Sequence, residues 1–170
     1  MSKALQGLKI IDLTRVRAGP SAVRHFADWG ADVIKIELPK ISKNDIDLGG
    51  SRHGSDFQNL HRNKRSITLN LKMKEGIKIF KELVKNSDIL IENFRPNVKK
   101  RLGIDYNNLK KINKKIIYAS ISGFGQTGPY ANLPGFDQVA QGMGGLMSVT
   151  GYEGEPPLRV GIPVADLSAG

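Results

Sequence analysis

The chain has 170 residues, a formal net charge of +10 and no cysteine. This length corresponds to about one domain, and an apolar fraction of 39% is sufficient for one hydrophobic core. The lack of cysteine excludes disulfides, thiol catalysis and cysteine-ligated zinc among these residues. The sequence shows neither a signal peptide nor an apolar run long enough to cross a membrane, so we expect a cytoplasmic protein without membrane association.

The predicted elements alternate between short β-branched strands and longer amphipathic helices. The strands are Leu8–Leu13, Asp32–Ile36, Ser66–Leu71, Asp88–Glu92 and Ile116–Ser122. The helices are Ser21–Trp29, Lys74–Asn86, Asn97–Leu102 and Asp105–Lys111. Because parallel neighbours need crossover connections, this order predicts an α/β fold with a doubly wound, mostly parallel, Rossmann-like sheet. The segment 40–63 is a polar excursion between predicted elements, and the segment 123–135 is rich in glycine and proline.

The positive charge favours an anionic partner without identifying it. Many lysines fall on predicted helix surfaces, where solvent exposure explains them equally well. The sequence has no zinc-finger spacing, helix-turn-helix or basic and aromatic interleaving, so nucleic acid is a weak alternative. Histidines and carboxylates do not cluster at ligand spacing, so no metal site is predicted.

Glycine, proline and arginine are concentrated in the segments that follow the predicted strands. Ligands bind at the carboxyl ends of strands in such sheets, although tight turns explain the same composition. Gly123-Phe-Gly-Gln-Thr-Gly128 matches the dinucleotide fingerprint G-x-G-x-x-G. However, Pro129 and Pro134 follow it, and the strand before it is the last of the series. We therefore do not expect a nicotinamide or flavin site.

Several ordered blocks resemble the class III CoA-transferases, a family that includes formyl-CoA transferase, carnitine CoA-transferase and α-methylacyl-CoA racemase. The blocks are Leu5–Thr14 with Ala18-Gly-Pro20, Gly30–Glu37, Asn63–Lys72, Glu92–Pro96 with Arg101-Leu-Gly103, Tyr118–Pro129 and Ala165–Gly170. The resemblance covers essentially the whole chain. It implies that residues 1–170 are the N-terminal portion of a large domain, and that the second domain and the C-terminal return of the family are absent.

The resemblance also implies a catalytic role for Asp166. In the family an aspartate attacks an acyl-CoA thioester, and CoA reaches a second carboxylic acid through an anhydride and an aspartyl-CoA thioester. CoA is then a substrate, and no permanently bound cofactor is expected. Without the resemblance, the favoured interpretation of Asp166 is a residue that caps or starts a helix after Pro163.

The CoA contacts implied by the resemblance lie in five segments, and many are expected to be backbone contacts. They are Arg17 and Ala18; Leu69, Asn70, Leu71 and Lys72; Asn93, Phe94 and Arg95; Arg101; and Leu133, Pro134, Gly135 and Phe136. Arginines suit the CoA phosphates. Core packing is an alternative role for Leu69 and Leu71.

Two positions depart from the family pattern. Arg17 stands where relatives carry leucine or glutamine near the thioester, so its charge either favours an acidic acyl group or reaches solvent. Phe136 stands where racemases carry the histidine of a Gly-His-Asp triplet, and it cannot transfer a proton. Transfer is therefore expected rather than racemisation.

Because the second half of the family architecture is absent, we expect little activity from the chain alone. The alternatives are a piece completed by a complementing C-terminal polypeptide or a homodimer, an inactive remnant, and a protein that only binds CoA.

Overall fold

The computed structural model describes residues 3–39 and 50–170. Its centre is a five-stranded parallel sheet with strand order β3-β2-β1-β4-β5. The strands are β1 (Lys9–Asp12), β2 (Asp32–Glu37), β3 (Arg65–Thr68), β4 (Ile89–Glu92) and β5 (Ile117–Ser120). The chain moves outward from β1 in one direction and from β4 in the other, so the order reverses between these neighbouring strands.

Helices connect the strands and continue after the last one. They are α1 (Ala18–Asp28), α2 (Ser55–His61), α3 (Lys74–Lys85), α4 (Pro96–Leu102), α5 (Tyr106–Leu109), α6 (Asp137–Met143) and α7 (Val164–Ala169), with a 3-10 turn at Leu146–Val149. Within the described ranges, none of these helices is long and apolar enough to span a membrane.

Separate hydrophobic clusters form on the two faces of the sheet. One face packs Ile11 and Leu90 against Phe80 and Val84 of α3. The other includes Ile10, Val33 and Ile91 with Val23 and Ala27 of α1, and the two clusters share no buried residue. Helices on both faces explain why the central strands are apolar on both sides, as expected for a doubly wound parallel sheet.

Local sequence accounts for the boundaries of the helices beside the sheet. Gly76, Phe80 and Val84 are the buried residues of α3, and their spacing of four places them on one helical face. Pro96 occupies the first position of α4, and Gly103 ends this helix with a φ of 66°, a conformation that costs glycine little.

All five predicted strands and the doubly wound fold are confirmed, with boundaries shifted by a few residues. The predicted helix Asp105–Lys111 is shorter, because α5 ends at Leu109. No element was predicted within the polar segment 40–63, whose end forms α2 with Phe57 and Leu60 buried. Residues 40–49 lie outside the described ranges. The helix α6 was not predicted, since its few apolar residues give little periodic signal. The helix α7 agrees with the alternative in which Asp166 starts a helix after Pro163.

Candidate active site

Asp166 lies in the first turn of α7, which begins directly after Pro163. Its side chain is partly buried, and among residues 3–39 and 50–170 no donor is hydrogen bonded to its carboxylate. The helix α7 packs against the start of α1. A Cβ atom added to Gly170 would lie only 2.3 Å from the carbonyl oxygen of Ala18. Asp166 is therefore both a helix-starting residue and a neighbour of the loop that follows β1.

Asp137 fixes the backbone that carries Asp166. Asp137 Oδ1 accepts hydrogen bonds from the backbone N–H groups of Ala165 (2.8 Å) and Asp166 (3.2 Å). Its other oxygen accepts from the side chain of Gln141 (2.6 Å), which in turn accepts from the backbone N–H of Val160 (2.8 Å). Gln141 is only 1% exposed. These contacts attach the segment before α7 to α6 and orient its first turn.

The surroundings of Asp166 disfavour its ionised form. Burial raises the pKa of the Asp166 carboxyl, and the negative charge of Asp137 raises it further, whereas the positive charge of Arg17 lowers it. The carboxylate is consequently less well solvated than a surface aspartate. Arg17 is the cation that favours its ionised state.

The loop after β1 is held by side chains from β1, from β2 and from the residue that follows β4. Asp12 Oδ1 accepts hydrogen bonds from the backbone N–H (2.8 Å) and the hydroxyl (2.6 Å) of Thr14. Lys35 Nζ donates to the carbonyl oxygen of Thr14 (2.9 Å). The side-chain amide of Asn93 donates to the carbonyl of Arg15 (2.7 Å) and accepts from its N–H (2.9 Å). Both polar ends of Asn93 therefore serve to join the loops after β1 and β4. We call this arrangement of Asp12, Lys35 and Asn93 the loop clamp.

The loop clamp supports an unfavourable backbone conformation. Val16 has a φ of 68°, in a region that a β-branched residue rarely adopts. Such conformations cost of order 1–3 kcal/mol and persist when their surroundings impose them. The following turn is equally tight, because a Cβ atom on Gly19 would lie 2.4 Å from Cβ of Thr14. The strained loop sets the position of Arg17 at the start of α1.

A buried ion pair anchors the loop clamp. Lys64 Nζ lies 2.9 Å from Asp12 Oδ2 and 3.0 Å from the carbonyl oxygen of Pro20 in α1. The side chains of Lys64 and Asp12 are 1% and 0% exposed. Burial would raise the pKa of Asp12, but the charges of Lys64 and Lys35 and the Thr14 hydroxyl hold it below its usual value. Burial lowers the pKa of Lys64, while Asp12 opposes this shift.

A second buried carboxylate supports the turn after β4. Glu92 accepts hydrogen bonds from Lys99 (2.7 Å) and from the backbone N–H of Phe94 (2.8 Å). Lys99 also donates to Ser120 on β5 (2.8 Å). The loops after β1 and β4 are thus fixed where the strand order reverses, which is where ligands bind in open α/β sheets.

The segment 69–72 combines core and surface positions. Leu69 and Leu71 are buried in the cluster on the α3 face, so their packing role is confirmed. Lys72 is exposed, and its backbone N–H donates to the Asn70 side chain (3.0 Å). A Cβ atom added to Gly76 would lie 2.1 Å from the carbonyl oxygen of Asn70. Because α3 approaches it so closely, this segment is tightly positioned.

The remaining predicted site residues lie on the surface of two other segments. Arg95 and Arg101, at the two ends of α4, are exposed, and Phe94 packs partly against the core. Residues 133–136 are exposed, and the close approach of Gly135 to Gly123 holds them beside the end of β5. Across the described residues, no hydrogen bond or ion pair links Arg101 or segment 133–136 to Asp166. The model therefore brings α7, which carries Asp166, against Ala18 at the start of α1, with the charge of Arg17 acting on Asp166. Leu69 and Leu71 lie in the core, and the other predicted residues lie on separate segments.

Sequence reasoning missed the residues that position the site. Asp12 and Lys35 are charged residues inside apolar strands, and this pattern signals a buried, paired charge. Asp137 was considered only as part of the Gly-Phe-Asp triplet. No local pattern connects it to a backbone 28 residues away. In the described part of the chain, histidine, aspartate and glutamate form no group that could hold a metal ion.

The fold and this site define a doubly wound α/β protein in which the loops after β1 and β4 are joined at the point where the strand order reverses. The model of CoA-transferase family III matches residues 5–170, and the chain belongs to this family.

Named relatives agree with this assignment. The chain is 45% identical over 175 residues to a formyl-CoA:oxalate CoA-transferase of Streptomyces avermitilis, covering 100% of this chain and 42% of the relative. It is 42% identical over 171 residues to the human succinyl-CoA:glutarate CoA-transferase, covering 99% of this chain and 39% of the relative. The crystal structure of a CAIB/BAIF family protein from Brucella suis superposes with a TM-score of 0.87 and 41% identity, over 98% of this chain and 46% of that one. The chain thus spans less than half the length of these relatives.

Proposed function

We propose that this chain carries the nucleophile and part of the CoA-binding surface of an enzyme that moves CoA from an acyl-CoA thioester to a carboxylic acid. The proposal rests on the environment of the Asp166 carboxylate. It is partly buried, engages no hydrogen-bond donor among the described residues, and lies beside the loop at the reversal of strand order. Membership of CoA-transferase family III supports the same reaction class.

The first half of the reaction uses Asp166 as a covalent catalyst. A carboxylate oxygen of Asp166 attacks the thioester carbonyl, the carbon–sulfur bond breaks, and CoA leaves as a thiolate. The thiolate then attacks the Asp166 carbonyl carbon of the resulting anhydride. This step releases the donor acid as a carboxylate and leaves CoA attached to Asp166 as a thioester.

The second half reverses these steps with a different acid. The acceptor carboxylate attacks the aspartyl thioester and releases the thiolate, which then attacks the acceptor side of the new anhydride. The products are the acceptor acyl-CoA and the Asp166 carboxylate. The thioester energy is conserved throughout, so the reaction requires no ATP.

The surface segments supply contacts for CoA in this proposal. Arg95, Arg101 and Lys72 are exposed cations that suit phosphate groups. Asn93 contributes through its backbone, because its side-chain amide is already bonded to Arg15. Ala18 and the segment 133–136 likewise offer backbone and apolar contacts. CoA acts here as a substrate and not as a resident cofactor.

Exchange of CoA between two acids requires a more enclosed site than the one that these residues form. Anhydrides hydrolyse in water, so solvent must be excluded around Asp166. Large apolar side chains remain exposed in the last third of the chain, among them Phe136 at 66%, Tyr152 at 80% and Leu167 at 41%. We propose that additional polypeptide covers this surface, either a complementing C-terminal part of the family architecture or a second copy of the chain.

Transfer of CoA explains the residues around Asp166 better than racemisation of an acyl-CoA does. A racemase needs a second acid or base opposite the aspartate, and position 136 holds an exposed phenylalanine. The alternative, a protein that binds CoA without chemistry, makes no use of the partly buried Asp166 carboxylate, which has no hydrogen-bond donor among the described residues.

Trapping of the aspartyl intermediate tests the proposal. The protein is incubated with an acyl-CoA and then with hydroxylamine, which converts an activated aspartyl group to a hydroxamate. Mass spectrometry should locate the hydroxamate on Asp166, and Asp166→Ala should abolish it. If the protein binds CoA but forms no hydroxamate, whether it is assayed alone or with the complementing polypeptide, the proposal of catalysis is refuted and only CoA binding remains.

A further inference from the structure

A small pocket lies between α2 and the edge of the sheet formed by β2 and β3. Its volume is about 180 Å³, below the roughly 300–1,000 Å³ of pockets that take whole organic ligands, and such pockets are lined mostly by apolar side chains. Here, among the described lining residues, Glu37 is the one acid and five are cations: Lys35, Arg52, Arg62, Lys64 and Arg65. We call this cavity the basic pocket.

The basic pocket lies on the face of the sheet that is opposite to α3. Ile36 of β2 is buried in the cluster that packs against α3. Because side chains alternate along a strand, Lys35 and Glu37 point to the other face. Segment 69–72, which is proposed to contact CoA, places its two leucines in the α3 cluster. The basic pocket is therefore separate from that segment.

Two buried lysines supply fixed positive charge to the pocket. Lys35 is 6% exposed, and the side chain of Lys64 is 1% exposed. In the described part of the chain, Lys35 Nζ donates one hydrogen bond, to the carbonyl oxygen of Thr14, although an ammonium has three donors. Burial lowers the pKa of Lys64, and the charges of Lys35 and Arg24 lower it further. Asp12 balances only one unit of this charge, so a nearby anion would relieve the remaining repulsion.

The arginines at the pocket are held by weak ion pairs. Arg52 pairs with Glu37 and Arg62 pairs with Asp28, and both arginine side chains are nearly half exposed. Ion pairs this exposed are weak, so a stronger anion can replace the carboxylate. Within residues 3–39 and 50–170, Arg52 donates one hydrogen bond, to Glu37, and its guanidinium carbon lies 5.4 Å from the centre of the Phe57 ring. Since Phe57 also lines the pocket, Arg52 stays beside the cavity.

The donors fit an oxyanion that carries more than one negative charge. Lys35 comes from β2, Arg52 from the segment before α2, and Arg62 from the residue after α2. Arginine binds phosphate through two parallel hydrogen bonds, and lysine adds a point charge. We propose that the basic pocket binds a phosphate-type anion, either free phosphate or diphosphate or the phosphate group of a larger molecule such as CoA. The anion replaces Glu37 as the partner of Arg52. The inference does not depend on the role of Asp166.

Titration with inorganic diphosphate tests the inference, with isothermal titration calorimetry as the readout. Diphosphate should bind more tightly than acetate, which carries a single charge. Arg52→Gln should weaken diphosphate binding at least about tenfold, the equivalent of one charge-assisted hydrogen bond. Glu37→Gln should tighten diphosphate binding, because the carboxylate that competes for Arg52 is gone. A variant that only disturbs the fold would not produce this gain, so Glu37→Gln also decides the matter if Arg52→Gln does not fold.

Lys85→Gln is the matched control, because it removes an exposed cation that pairs with Glu82 on α3, at the opposite face of the sheet. It should bind diphosphate as the wild type does. Three results would overturn the inference: no binding of diphosphate, equal affinity for acetate, or no tightening in Glu37→Gln. An equal loss of affinity in Lys85→Gln and Arg52→Gln would also overturn it, because the binding would then reflect net charge alone.

Competition with CoA identifies the source of the phosphate. If a phosphate of CoA fills the basic pocket, CoA should displace diphosphate, and Arg52→Gln should weaken CoA binding. If CoA leaves the affinity for diphosphate unchanged, the pocket takes the free anion. The hydroxamate on Asp166 is measured separately, so failure of diphosphate binding leaves the proposed function untouched.

Discussion

The Asp12–Lys64 pair gives the most direct test of how the loop clamp is stabilised. Asp12→Asn removes the negative charge and leaves Lys64, whose side chain is 1% exposed, without a counterion. Lys35 adds a second nearby cation, bonded to a backbone carbonyl. Removing one partner of a buried pair costs about 3–5 kcal/mol, a large fraction of the roughly 5–15 kcal/mol by which domains are stable.

Asp32→Asn is the matched comparison, because it makes the same chemical change in an ion pair whose side chains are 65% and 45% exposed. Its cost should be about 0–1 kcal/mol. Urea denaturation followed by circular dichroism gives the free energy of unfolding of both variants. If Asp12→Asn does not fold, Thr14→Val serves instead, since it removes one hydrogen bond to a charged acceptor and should cost about 1.5–3 kcal/mol.

The pH dependence adds a second measurement on the same variants. The pKa of Asp12 is lowered in the folded state, so its stabilising contribution is present above its usual value of 3.8 and is lost as pH falls through the lowered pKa. The difference between wild type and Asp12→Asn should therefore shrink in acid. Equal losses for Asp12→Asn and Asp32→Asn near neutral pH would refute the reasoning.

Two further substitutions test the candidate site. Asp166→Asn should abolish the hydroxamate and should raise the free energy of unfolding near neutral pH, because the pKa of Asp166 is raised and folding therefore disfavours its ionised form. This gain in stability should disappear below pH 3.8, the usual pKa of the group, and a destabilised variant at pH 7 would contradict the argument. Gly76→Ala should cost about 1–3 kcal/mol in a thermal or urea melt and weaken CoA binding, because the new Cβ meets the carbonyl of Asn70 at 2.1 Å. Gly142→Ala, whose Cβ would lie 3.7 Å from Met147, should be neutral or stabilising; equal losses at both glycines would contradict the steric argument.

Much of the fold follows from local patterns in the sequence. Apolar strands such as Ile89–Glu92, followed by amphipathic helices, predict a parallel sheet because only crossovers can join parallel neighbours. The boundaries of α4 follow from Pro96 and Gly103. The short helix α2 was missed, since only Phe57 and Leu60 mark it as a packed element.

The candidate site was only partly predictable. Asp166 and the arginines proposed to contact CoA phosphates were named because ordered blocks resemble a family. The residues that position the site could not be named from the sequence. The hydrogen bond that Asp137 accepts from Ala165 joins positions 28 residues apart, and the ion pair between Asp12 and Lys64 joins positions 52 residues apart. Contacts of this length depend on how the elements pack.

Periodicity, turn residues and ordered blocks are sufficient to predict the elements, the parallel sheet and the family. Three features required the packed fold: the hydrogen bonds between Asn93 and Arg15, the burial of Leu69 and Leu71, and the effect of the Arg17 charge on the pKa of Asp166. The physical reason is that burial, pKa and pairing are properties of side chains brought together by folding, and no single segment of the chain contains them.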